Sequence, residues 1–149
     1  MKKNNIIYLN GLIDLAQSRL GSKIVYKTDE FLKENVSIVY TLDCGTTSFS
    51  TLNNIKYSII DIITIDHHIS ETKFPNIFSL VNPNRYDENS EFKDLAAVGV
   101  TFLFLMALRK TLREQNFFKF NKEPNLLFFL DLVALGTVCD VVPLKKINR

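Results

Sequence analysis

The chain has 149 residues, 46% of them apolar and 23% charged, with a net charge of +2. Such proportions describe one globular domain with a sizeable core and exclude a disordered or low-complexity chain. The small positive charge permits a nucleic-acid partner without arguing for one. Two cysteines, Cys44 and Cys139, do not make a disulfide framework, and with no obvious base beside either they read as small buried hydrophobes. The longest charge-free apolar run, residues 95–108, is shorter than the ~18–20 residues that span a bilayer. Met1-Lys-Lys is not followed by the apolar core of a signal peptide, so a soluble cytoplasmic protein without membrane contact is expected.

Along the chain, strand-like and helix-like stretches alternate, which predicts an α/β fold: a parallel sheet built from βα units. Ile7, Leu12, Leu15 and Leu20 have helical spacing over residues 6–20, and Thr28 suits the cap of a short helix over 29–34, with acids in its first turn. Residues 37–42 read as a buried strand, followed by a loop at Gly45 and a short helix to about residue 53. Further strands are expected at 59–65 and 77–81, the latter stopped by Asn82-Pro83-Asn84. A polar surface loop over 84–93 leads to Asp94, a candidate cap for a helix over 95–113 with an apolar stripe of Leu95, Val98, Phe102, Leu105, Leu108 and Leu112. After a linker over 115–123, Pro124 opens a helix over 125–135 that Gly136 ends. The phenylalanines at 102, 104, 117, 118, 120, 128 and 129 read as core.

The chemistry concentrates at the ends of apolar segments. Asp61-Ile-Ile-Thr-Ile-Asp66-His67-His68 holds both histidines of the chain, Ile38-Val-Tyr-Thr-Leu-Asp43 ends a strand in a carboxylate, and Asp140 closes a third apolar run. Taken singly, Asp43 reads as a cap or turn residue, the two histidines as surface or core, and Asp140 as a turn. Together, at the edge of an open sheet where ligands gather, they read as a divalent-metal site. Alternation along an extended segment would turn His67 and His68 to opposite sides, one toward an ion and the other toward substrate or a supporting partner. Carboxylates with one imidazole suit Mn²⁺ or Mg²⁺ better than a thiol-seeking metal, and the chemistry natural to such ions is phosphoester hydrolysis.

Taken in order, Thr41-Leu-Asp43-Cys-Gly45-Thr, Thr64-Ile-Asp66-His67-His68, Val81-Asn-Pro83-Asn-Arg85, Asp94-Leu-Ala-Ala-Val-Gly99-Val and Asp131-Leu-Val-Ala-Leu-Gly136-Thr-Val-Cys-Asp140-Val-Val-Pro143-Leu resemble the DHH phosphoesterase superfamily. Within it they are most similar to the RecJ-type exonucleases specific for single strands. The resemblance covers residues 28–146 and places residues 1–22 in no motif, so the chain reads as a partial DHH domain, 1–149. It implies helices on both faces of the sheet and a two-metal site using Mn²⁺ or Mg²⁺. It further implies Asp43, His67 and Asp140 as metal ligands, with Asp66 and His68 supporting the imidazole or contacting the scissile phosphate. The reaction implied is stepwise 5′→3′ hydrolysis of single-stranded DNA in recombination and repair.

Two departures bear on activity. The superfamily's first motif, an Asp-x-Asp-Gly loop, is absent: the only acids before Asp43 are Asp14, Asp29, Glu30 and Glu34. The chain also stops nine residues past Asp140, short of the family's second domain. A RecJ-type fragment of reduced activity is therefore expected, with a complementing fragment as a partner beside single-stranded DNA. The competing readings are an inactive remnant or interaction module, and a DHH phosphodiesterase of small substrates. An apolar patch is expected beside the strand at 37–42, where the first strand and its helix would pack.

Overall fold

The structure, a computed structural model, describes residues 8–9, 37–54 and 60–149. Most of the helix expected over 6–20, and all of that over 29–34, lie outside them. Four parallel strands form the sheet in sequence order: β1 (Tyr8–Leu9), β2 (Ile38–Leu42), β3 (Asp61–Ile65) and β4 (Ser79–Val81). Tyr8 and Leu9 pair with Tyr40 and Thr41, so at these two positions a strand replaces the expected helix and stands beside β2. A short apolar run is ambiguous by periodicity, and pairing to a buried strand decides it.

Beta-branched residues dominate β2 and β3 because both faces of the sheet are covered. On one face Val39, Ile60 and Ile62 pack with Leu52 of α1 (Phe49–Asn54). On the other, Ile65 packs with Leu95 and Val100, and Tyr40, Leu42, Ile63 and Val81 join Leu103 and Phe104. The latter come from α2 (Ala97–Glu114), which begins two residues later than expected. Asp94 does not cap it: the preceding residue is Ala96, without a side-chain cap, because a turn from Phe92 to Leu95 precedes the helix. The sheet-facing residues of α2 are Val100, Leu103 and Phe104, whereas Leu105 and Leu108 of the expected stripe are exposed.

Beyond α2 the chain folds back through a 3₁₀ turn (Phe117–Lys119), and Arg113 pairs with Glu123. A second 3₁₀ turn (Leu126–Phe129), capped by the Asn125 side chain, runs into α3 (Leu130–Cys139). The expected helix over 125–135 is thus displaced toward the C-terminus, and it runs through Gly136 rather than stopping there. A β-carbon on Gly136 would lie 2.8 Å from Val98 Cγ1, so this glycine marks a close crossing of α2 and α3. Phe117, Phe120, Phe128 and Phe129 are exposed, contrary to a core role, and so is Cys139; Cys44 is half-buried. Exposed apolar surface therefore gathers on α3 and its flanking turns. Among the described residues, no helix is long and apolar enough to cross a membrane.

Candidate metal centre

Strand register assembles the centre. Leu42 pairs with Ile65 and Ile65 with Val81, so the next residues, Asp43, Asp66 and Asn82, leave the sheet side by side. The ladder runs one step further: Asp43 N donates to Ile65 O and Asp66 N to Val81 O, both at 3.0 Å. Asp43 then takes a left-handed backbone (φ 61°), a conformation that aspartate tolerates better than most residues.

Asp66 is buried and saturated with donors. Its Oδ2 accepts from Thr46 N at 3.0 Å; its Oδ1 accepts from His67 N at 2.8 Å and lies 2.7 Å from His68 Nδ1. Burial alone would raise its pKa, but the hydrogen bonds from His68 and Thr46 outweigh it and hold the carboxyl well below the usual range. Gly45 makes the Thr46 contact possible. With φ 115° it lies over the Thr41–Thr64 hydroxyl pair, where a β-carbon would fall 2.9 Å from Thr41 Oγ1.

Two asparagines brace the histidine segment from the β4 side. Asn82 Nδ2 donates to Thr46 Oγ1 and to His68 O, both at 2.8 Å, and Asn84 Nδ2 donates to His67 O at 2.7 Å. In the sequence Asn82-Pro83-Asn84 is a strand-stopping turn and part of one of the ordered motifs, with no side-chain role attached to either asparagine. Its bracing role has one sequence signal, a side-chain amide one residue past a strand end.

His67 is oriented from behind: Nδ1 donates to Leu95 O at 3.2 Å, which leaves Nε2 to face the centre. Nε2 stands 3.3 Å from Asp43 Oδ1 and 3.3 Å from Asp140 Oδ2. Asp140 arrives as the C-terminal cap of α3 rather than from a strand. The pKa of His67 is raised, chiefly by Asp43 against the opposing effect of burial, with Asp140 adding to the rise. His68 is likewise raised, first by its hydrogen bond to Asp66, again against burial.

The two imidazoles do not diverge as alternation predicts. The strand ends at Ile65, and the backbone then wraps around Asp66 Oδ1, leaving the two rings edge to face with centroids 4.7 Å apart. Asp43, His67 and His68 each offer a ligand atom, all within 4.8 Å of one another. Asp43 Oδ1 is buried and makes no hydrogen bond of good geometry. A buried carboxylate oxygen whose one neighbouring donor is an imidazole at 3.3 Å is what a cation would complete, and the carboxylate and imidazole donors fit Mn²⁺ or Mg²⁺.

A sequence profile of the DHH family's N-terminal domain matches residues 5–137. The chain belongs to that family. The match takes in residues 5–22, which the ordered motifs do not reach. The chain is 40% identical over 123 residues to the single-stranded-DNA-specific exonuclease RecJ of Escherichia coli, covering 81% of this chain and 21% of that protein. It is 38% identical over 118 residues to the RecJ of Haemophilus influenzae, covering 79% and 20%. The crystal structure of an exonuclease RecJ bound to manganese superposes with a TM-score of 0.67 at 28% identity, covering 89% of this chain and 31% of that one. RecJ of Thermus thermophilus in complex with Mn²⁺ gives 0.62, also at 28% identity, over 93% and 20%. This DHH chain thus spans about a fifth of the length of the curated relatives it matches.

Proposed function

We propose that this DHH chain carries part of the metal-dependent centre of a RecJ-type exonuclease, hydrolysing phosphodiester bonds of single-stranded DNA in recombination and repair. The observation that carries the reading is the placement of His67 Nε2 at 3.3 Å from both the buried Asp43 Oδ1 and Asp140 Oδ2. Asp43, His67 and Asp140 would hold Mn²⁺ or Mg²⁺, which when bound supplies water activation and charge neutralisation for phosphoryl transfer. Asp66 fixes the His67 backbone and the His68 ring. His68, exposed at the rim, offers a polar contact to the scissile phosphate. A cytoplasmic location accords with this substrate.

Three protein ligands account for one firmly held ion, and two-metal transfer needs a second. On this reading the chain carries part of a DHH domain, and by itself it should turn over single-stranded DNA orders of magnitude more slowly than an enzyme with a full two-metal site. A second fragment bearing an Asp-x-Asp-Gly segment should restore part of the rate. The test is Mn²⁺-dependent digestion of a single-stranded oligonucleotide, with a dinucleotide as comparison substrate. Preference for the dinucleotide favours a small-substrate phosphodiesterase. Manganese binding without any turnover, even with the complementing fragment, favours an inactive remnant.

A further inference from the structure

Hydrogen-bonded to the segment that follows His68 lies a layered stack that the metal chemistry does not use. Phe74 and Tyr86 are stacked, with ring centroids 5.1 Å apart and planes 25° from parallel, and the Arg85 guanidinium lies 4.8 Å from the centroid of Phe74. Arg85 is committed there: it donates to Asp87 through Nε and Nη2, at 2.9 and 2.7 Å, and to Leu80 O through Nη1 at 3.1 Å. The stack is therefore backed and rigid. Tyr86 nevertheless remains 58% exposed with one ring face against Phe74, which leaves the opposite face open to solvent.

The stack is tied to the histidine segment. Tyr86 N donates to Ser70 Oγ at 2.8 Å, and Ser70 N donates to Asn84 O at 3.2 Å, two residues beyond His68. Asp87 and Glu88 beside it would repel a phosphate, so this surface offers a nucleic acid a π face rather than a cation. Asn84, two residues before Tyr86, holds the His67 carbonyl at 2.7 Å, so the ring is anchored to the same segment as the candidate ligand and is a candidate contact for the bases of a strand whose phosphates lie at the centre. A fixed aromatic face takes any base, as exonuclease action along a strand requires.

We propose that the outer face of Tyr86 is a nucleobase-stacking subsite for single-stranded DNA, backed by Phe74 and Arg85; this rests on the nuclease reading above. The test is equilibrium binding of a phosphorothioate-linked single strand carrying 2-aminopurine to the 149-residue chain in Mn²⁺, read by fluorescence quenching. Tyr86→Ala should abolish the quenching and weaken binding roughly 5- to 150-fold, the range of one lost base–aromatic stack. Tyr86→Phe should restore both; Tyr86→Leu, with apolar bulk but no π face, should restore neither. A blunt duplex of the same sequence, its bases already stacked, should bind all four proteins alike. Equal single-strand binding by the wild type and Tyr86→Ala overturns the subsite and leaves the nuclease reading standing, and so does failure of Tyr86→Phe to rescue. A wild-type chain that binds no single strand overturns both.

Discussion

Gly136 and Val98 touch across the α2–α3 crossing with no room for a methyl group, the nearest Val98 carbon lying 2.8 Å from where a β-carbon would stand. The contact fixes how closely α3 approaches α2 one turn before the helix ends at Cys139. Asp140 N donates to Gly136 O at 3.0 Å, so the carboxylate that reaches His67 is one helical turn beyond the contact. Gly136→Ala should gain about 1 kcal/mol of helix propensity and lose about 1–3 kcal/mol to overpacking, for a net loss of about 1 kcal/mol. Displacing α3 should also weaken Mn²⁺ binding about tenfold, read by titration calorimetry beside thermal unfolding. Unchanged Mn²⁺ affinity would break the link between helix crossing and site.

Metal binding gives a second prediction, because under the proposed ligand set one ion would link residues from three separate elements. Mn²⁺ at 100 times its Kd should stabilise the wild type by about 2.7 kcal/mol. His67→Ala removes the imidazole that faces both Asp43 and Asp140, and should remove that stabilisation. An undiminished manganese-dependent rise in Tm in His67→Ala would show that the ion binds elsewhere.

Much of this was legible in the sequence because strand ends are local. Asp43 and Asp66 follow β-branched runs, and equal strand ends in a parallel sheet bring such residues together. The helix ends were less legible. Asp94 looks like a cap and Gly136 like a stop when only neighbours in sequence are weighed. Contacts beyond the cap and stop residues themselves decide both: a turn from Phe92 to Leu95 holds Asp94 outside α2, where its carbonyl accepts from Asn148 Nδ2 at 2.7 Å, and Val98 requires a glycine inside α3. The divergence expected of His67 and His68 failed for a related reason, since alternation needs an extended strand and Asp66 curls the backbone just after β3.

Asp66 provides a third prediction, with a pH signature. An ionised carboxylate accepts from Thr46 N, His67 N and His68 Nδ1, whereas Asp66→Asn turns an amide N–H toward at least one donor. The loss should be about 3 kcal/mol at pH 7 in chelator. The folded pKa lies below the unfolded value near 4, so this stability is present in full above about pH 4 and is lost as pH falls toward the folded value. The wild-type advantage over Asp66→Asn in urea unfolding should accordingly shrink below about pH 4. A difference that stays independent of pH well into the acid range would show that Asp66 contributes by shape rather than charge.

The last prediction concerns α3, on which exposed apolar surface gathers among the described residues. Among its ten residues only Asp131 is charged, and Leu132 and Leu135 are 56% and 61% exposed. A helix apolar on all sides is ordinarily buried, and this one meets α2 on one side only, through Gly136 and Val98, among the described residues. Water against the remaining leucines should drive association at high concentration. Leu132→Glu with Leu135→Glu should suppress concentration-dependent sedimentation while changing stability by no more than about 0.5 kcal/mol per site, since neither side chain leaves a core. If the double variant sediments as the wild type does, association runs through another surface. If it unfolds instead, these leucines are buried in solution by a partner surface that the folded chain requires.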